Sequence, residues 1–115
     1  MKNISITFLF FLFISPFLSF GQASFSVQKI GNKGNNILFI PGLACSAEVW
    51  KDTVKEFSPN HTCYLFTMAG FAGTAPVKNP SLDNWAEAII SYVKKEKIKK
   101  PIIVGHSLGG MLAMK

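Results

Sequence analysis

Beyond residue 21 the apolar positions switch between two spacings. Phe25 and Val27 alternate with polar neighbours towards Lys29-Ile30, the period-two pattern of a half-buried strand. Gly31-Asn32-Lys33-Gly34-Asn35-Asn36 is rich in residues that tolerate positive φ and predicts a turn. Ile37-Leu38-Phe39-Ile40 is a short continuous apolar run bounded by Asn36 and Pro41-Gly42, which suits a strand buried on both faces of a parallel sheet. The period then changes. Val49, Trp50, Val54 and Phe57 recur at helical spacing until Ser58-Pro59-Asn60 stops them. Cys63 to Thr67 predicts another short strand, closed by Gly70-Phe71-Ala72-Gly73. Ser81 is a good N-cap, and Leu82, Trp85, Ala86, Ile89, Ile90 and Val93 trace one helical face. Trp50 and Trp85 lie on these two faces and are expected to pack into the core. Pro101 closes the helical region and Ile102-Ile103-Val104 is a third buried strand. Strand, helix, strand, helix, strand predicts the α/β class, with a mostly parallel sheet flanked by helices.

The first residues follow a different logic. Met1-Lys2 is a short positive start, Ile4 to Phe20 is almost wholly apolar, and Ser19-Phe20-Gly21 supplies small residues where a signal peptidase reads. This layout predicts a secretory signal peptide over residues 1–21, cleaved between Gly21 and Gln22, and so a periplasmic or secreted protein. The run is about as long as a short membrane span, roughly 17 residues. Pro16 and the small residues that follow favour the signal, leaving no stable membrane span once it is removed. Residues 22–115 then form one partial domain.

The chain has 12 basic residues against 6 acidic ones, a formal charge of +6, and every basic residue is a lysine. Five of them crowd into Lys94-Lys95-Glu96-Lys97-Ile98-Lys99-Lys100. That run falls at the end of a helical pattern, where cations suit the helix dipole. No aromatic residues interleave it, as a nucleic-acid platform would need, so a solvated helix end is expected and no nucleic-acid partner. Cys45 and Cys63 would meet an oxidising compartment if exported. The predicted order puts them at opposite ends of parallel strands, about 17 Å apart against a bridging limit of roughly 7 Å. Two free thiols are expected, with no metal-ligand spacing around either.

The chemistry concentrates at Gly105-His106-Ser107-Leu108-Gly109. A serine hydroxyl is a poor nucleophile until a base takes its proton, and it must stand where a carbonyl can reach it. A sharp strand-to-helix turn lifts it above the sheet, and Gly105 and Gly109 carry no side chain to obstruct that turn. Three fixed residues match by chance in about one chain in 25 of this length, so the pattern alone is weak. Its context is what counts: Ile102-Ile103-Val104 leads in, and Met111-Leu112-Ala113-Met114 leads out as a helix. The oxyanion formed by attack needs two preorganised N–H groups. Leu108, the residue after the serine, offers one, and Leu43 in the loop Ile40-Pro41-Gly42-Leu43-Ala44 is the natural second donor.

These stretches resemble the α/β-hydrolase superfamily: Ile37 to Gly42 with Trp50, then Ala69-Gly70-Phe71-Ala72-Gly73, then Val104 to Gly110. They are especially similar to the secreted single-domain serine hydrolases of bacteria. The match runs from about Phe25 onward with the three motifs in the family's order. The resemblance implies a Ser-His-Asp/Glu triad, no cofactor and no metal, and a small-molecule substrate of the ester, amide or related acyl class. By it, Ser107 is the nucleophile and Leu43 and Leu108 form the oxyanion hole. Two positions depart from the family pattern. Pro41 stands where most members carry His, and Met68-Ala69 replaces a common Asp-containing turn. Epoxide hydrolases and dehalogenases are disfavoured, because those members carry Asp at the position of Ser107.

The triad's His and acid follow the serine in chain order, and the sequence stops eight residues after Ser107. His106 adjoins the serine and points away by strand alternation. His61 precedes a strand at the opposite end of the sheet, and Asp83 and Glu87 sit on the outer side of a helix start. The expectation is an N-terminal half of a hydrolase, ending after the nucleophile turn, with an uncovered apolar edge at Ile102-Val104. The alternative is an inactive exported fragment or a non-catalytic binding remnant of the same fold.

Overall fold

The computed structural model describes residues 23–115; the signal segment expected at residues 1–21 lies outside them. Strand β1 (Phe25–Ile30) leads through the Gly31–Asn35 turn into β2 (Asn36–Ile40). A 3-10 turn (Ala47–Trp50) and helix α1 (Lys51–Phe57) return the chain to β3 (Thr62–Met68), and helix α2 (Leu82–Lys95) returns it to β4 (Ile102–Gly105). Helix α3 (Leu108–Ala113) follows the serine. The four strands form one sheet in the order β1-β3-β2-β4. β2 is parallel to both β3 and β4, and β1 alone is antiparallel, its Val27 opposite Phe66.

Period-two alternation sends the two sets of side chains to opposite layers. Leu38, Ile40, Tyr64, Phe66 and Met68 pack under α2 and α3, against Trp85, Ala86, Ile89 and Leu112. Ile37, Phe39, Cys63 and Leu65 pack under the 3-10 turn and α1, against Ala47, Val54 and the partly buried Trp50. All of Ile37 to Ile40 is buried, as a strand covered on both faces requires. Both tryptophans therefore pack against the core: Trp85 meets Phe71 edge-on at 5.3 Å, and Trp50 meets Phe39 at 5.3 Å.

The expected helix from Val49 to Phe57 is split by the change from 3-10 to α winding at Trp50. Its start is tied across the layers, the Ala47 N–H donating to Thr67 Oγ1 at 2.8 Å. Strand β3 runs one residue further at each end than its apolar run, because Thr62 and Met68 are buried with the rest. At the start of α2 the Ser81 hydroxyl accepts the Asn84 N–H. In its last turn and just beyond, Lys94, Lys95, Lys97, Lys99 and Lys100 are exposed while Ile98 is buried. The basic run is thus a solvated face pinned by one apolar residue. Strand β4 is not the buried strand its apolar run predicts: it borders the sheet among the described residues, which leaves Ile102 and Ile103 exposed. No helix among the described residues is long and apolar enough to cross a membrane.

Both cysteines are free thiols. Cys63 is fully buried in the α1 layer, and burial pushes its thiol up from the ordinary value, which lowers the thiolate fraction that reacts. Cys45 sits half-buried in the loop after β2. Iodoacetamide is therefore expected to alkylate Cys45 in the folded chain and Cys63 only on unfolding. A mass-spectrometric time course with equal rates at both sites would contradict this.

Candidate active site

Three pieces of chain converge at the C-terminal ends of β2 and β4. Pairing of Ile40 with Gly105 aligns the two strand ends, and the His106 N–H extends the ladder by donating to the Ile40 carbonyl at 3.1 Å. The chain then reverses direction in one residue. Ser107 has φ 54° and ψ −117°, a backbone region that L residues avoid at a cost of about 1–3 kcal/mol. Immediately afterwards α3 begins, the Gly109 N–H returning to the His106 carbonyl at 2.9 Å and the Gly110 N–H to the Ser107 carbonyl at 2.9 Å.

The two flanking glycines make this turn sterically available. A Cβ on Gly105 would overlap the Gly109 carbonyl oxygen, and a Cβ on Gly109 would overlap the Ile40 carbonyl oxygen. Strand and helix therefore touch main chain to main chain, and α3 rests on both β4 and the end of β2. Gly110 differs: its Cβ position is 3.7 Å from the nearest atom, the Gly105 oxygen.

The loop after β2 reaches the same place. A Cβ on Gly42 would stand 3.4 Å from Ser107 Cβ and 3.1 Å from His106 Nδ1, so this loop lies directly against the serine turn. Ser107 is exposed, and Leu43 turns its side chain outward, 68% exposed. Among the described residues, neither the Leu43 nor the Leu108 N–H has an intramolecular acceptor. The sequence points to this loop through the need for a second oxyanion donor after a buried strand, and through the family resemblance. The contact between Gly42 and the His106 ring was not visible in it, because the two residues are 64 positions apart and carry no shared pattern.

The other polar candidates stay apart. The Ser107 hydroxyl has no hydrogen-bond partner capping α3. His106 lines a depression of about 270 Å³ with Cys45, Val49 and Trp50. His61 lies at the other end of the sheet, in an apolar hollow of about 430 Å³ with Ile37, Phe39, Thr53, Phe57, Ile102 and Val104. Its Nδ1 is buried without a partner. Asp83 is exposed and pairs with Lys115 at 2.6 Å, and Glu87 is exposed. No group of three or more His, Cys, Asp or Glu side chains that could hold a metal gathers among the described residues.

A mixed sheet between helix layers, with a serine on a strained strand-to-helix turn, defines a class of α/β proteins. Residues 37–115 match the Alpha/beta hydrolase family, and the chain belongs to it. It is 24% identical over 85 residues to the pimeloyl-[acyl-carrier protein] methyl ester esterase of Vibrio cholerae, covering 74% of this chain and 32% of that protein. Among solved structures, a marine microorganism esterase superposes with a TM-score of 0.73 at 24% identity, covering 81% of this chain and 36% of that one. An N-acyl homoserine lactonase complexed with N-butanoyl homoserine superposes with a TM-score of 0.71 at 19% identity, covering 78% and 35%. These likenesses are of fold. The chain spans about a third of the length of each of these relatives.

Proposed function

We propose that this chain carries the nucleophile and oxyanion hole of a serine hydrolase acting on acyl esters or related acyl compounds. The observation that carries the reading is the Ser107 backbone, held at φ 54° and ψ −117° between two glycines and faced by the Gly42 loop. A strained conformation persists only where its surroundings over-determine it; here Ser107 is exposed next to the Gly42 loop, and among the described residues the Leu43 and Leu108 N–H groups have no acceptor. Ser107 Oγ attacks the acyl carbon and its proton passes to a base. The carbonyl oxygen becomes an oxyanion held by the Leu43 and Leu108 N–H groups, and collapse expels the alcohol to leave an acyl-serine that water cleaves. The hydrolase family and the esterase and lactonase among similar proteins support this substrate class.

The base is the part that the described residues do not bring to Ser107. In the proposed enzyme a His and an acid complete the triad from sequence outside these residues, and the apolar segment at residues 1–21 directs export. A second reading, a non-catalytic remnant of the fold, is favoured by the unpartnered hydroxyl alone.

Fluorophosphonate labelling separates the two. An oxyanion hole and binding without a working triad still accelerate acyl transfer about 10³-fold over water. The native chain is expected to form an adduct on Ser107 well above the rate of the urea-unfolded chain, and faster with added imidazole as a diffusible base. Ser107→Ala should abolish the adduct. Native and unfolded chains that label at the same rate would leave the remnant as the correct reading.

A further inference from the structure

We propose that His106 is a positioning residue, its imidazole bracing the Gly42–Leu43 segment at the distance from Ser107 that an oxyanion donor needs. For its catalytic consequence the inference rests on the acyl-hydrolase reading; for its geometry it does not. The loop after β2 is anchored at its start, where Pro41 is fully buried, and opens to solvent beyond Gly42. Leu43 and Ala44 are exposed, Ala44 sits at φ 60°, and the local tie is the Cys45 N–H to the Gly42 carbonyl at 3.1 Å. Gly42, by contrast, is buried. Its α-carbon faces His106 Nδ1, the His106 carbonyl and Ser107 Cβ so closely that even a methyl group would meet them at 3.1 to 3.4 Å.

His106 is itself firmly held. Its N–H is bonded to Ile40 and its carbonyl to the Gly109 N–H, so both main-chain groups belong to the junction of β2, β4 and α3. The ring thus springs from a fixed stretch of main chain beside the loop. Cys45, Val49 and Trp50 line one depression with it. Such a prop matters because an oxyanion donor works through preorganisation: a donor that must be repositioned during reaction loses much of its advantage. The ring atom nearest the Gly42 α-carbon's open side is Nδ1. Asn places a polar atom at the corresponding position, and Ala leaves it empty.

The test compares the full 115-residue chain with His106→Ala and His106→Asn. Backbone ¹⁵N relaxation reads the loop directly. The Gly42 and Leu43 amides are expected at order parameters near 0.85 in the parent and the Asn variant, and below about 0.6 in the Ala variant. Fluorophosphonate kinetics read the consequence. The maximal inactivation rate is expected to fall about ten-fold or more in His106→Ala, with half-saturation unchanged and Asn restoring the rate. The thermal midpoint should hold, since His106 is exposed. Unchanged order parameters in His106→Ala, or an Asn variant as loose as Ala, would overturn the brace. A loosened loop with an unaltered inactivation rate would overturn its catalytic consequence. A parent chain that does not label would sink the acyl-hydrolase reading, and the order parameters would still decide the brace.

Discussion

Gly109→Ala is expected to destabilise the chain by about 3 kcal/mol, while Gly110→Ala, one residue later in the same helix, is expected to be neutral or stabilising. The added methyl at 109 would overlap the Ile40 carbonyl oxygen and stand 2.8 Å from the Pro41 oxygen. Both obstacles are main chain at the end of a buried strand, so no side-chain rotation relieves them. Overpacking usually costs about 1–3 kcal/mol, and the upper end applies where helix and strand must separate as bodies. That separation would also break the packing of Leu112, buried in the α2 layer. At 110 the same methyl has 3.7 Å of room, and exchanging Gly for Ala within a helix gains roughly 0.5–1 kcal/mol. Urea midpoints of the two variants check the contrast. Equal midpoints would mean that the strand–helix contact is not as tight as described.

Phe66→Ala is expected to cost about 3–5 kcal/mol, the range for deleting a buried aromatic side chain. Phe66 is fully buried in the middle of β3, the strand that joins the antiparallel edge to the parallel pair. Its ring meets Phe25 of β1 at 5.0 Å and Tyr92 of α2 at 5.8 Å. Truncation therefore opens a void at the meeting of two strands and a helix, none of which can fill it without losing its own register. A domain of this size has about 5–15 kcal/mol in total, so the variant should approach the unfolding threshold. Circular dichroism on thermal unfolding would show a midpoint lowered by well over 10 °C, at about 4–8 °C per kcal/mol. A loss of only a few degrees would show that β1 and α2 close over the gap.

The elements were legible because each is written in a short window. Ile37 to Ile40 and Cys63 to Thr67 are apolar runs too short for helices, and Leu82 to Val93 repeats at 3.6 residues with a serine cap before it. Strand ends at Thr62 and Met68, and the 3-10 winding over Ala47–Trp50, were less legible, since burial and a tertiary bond to Thr67 set them. The turn at Ser107 was legible from its glycines and its flanking strand and helix. Of the site, the approach of the Gly42 loop to Ser107 was legible only as a chemical requirement for a second oxyanion donor and through resemblance, and the nearness of His106 to Gly42 had no signal at all.

By itself the sequence determined which segments are strands and helices, which side of each is apolar, and that one serine stands between a strand and a helix with glycines on both sides. These are local properties, set by side-chain period and by the backbone freedom of single residues. Only the tertiary structure decided that β3 lies between β1 and β2, that β1 runs antiparallel, and that Gly42 and the His106 ring meet beside Ser107. Those facts depend on pairings between residues tens of positions apart. Their energies come from packing of surfaces that exist only after the elements have formed.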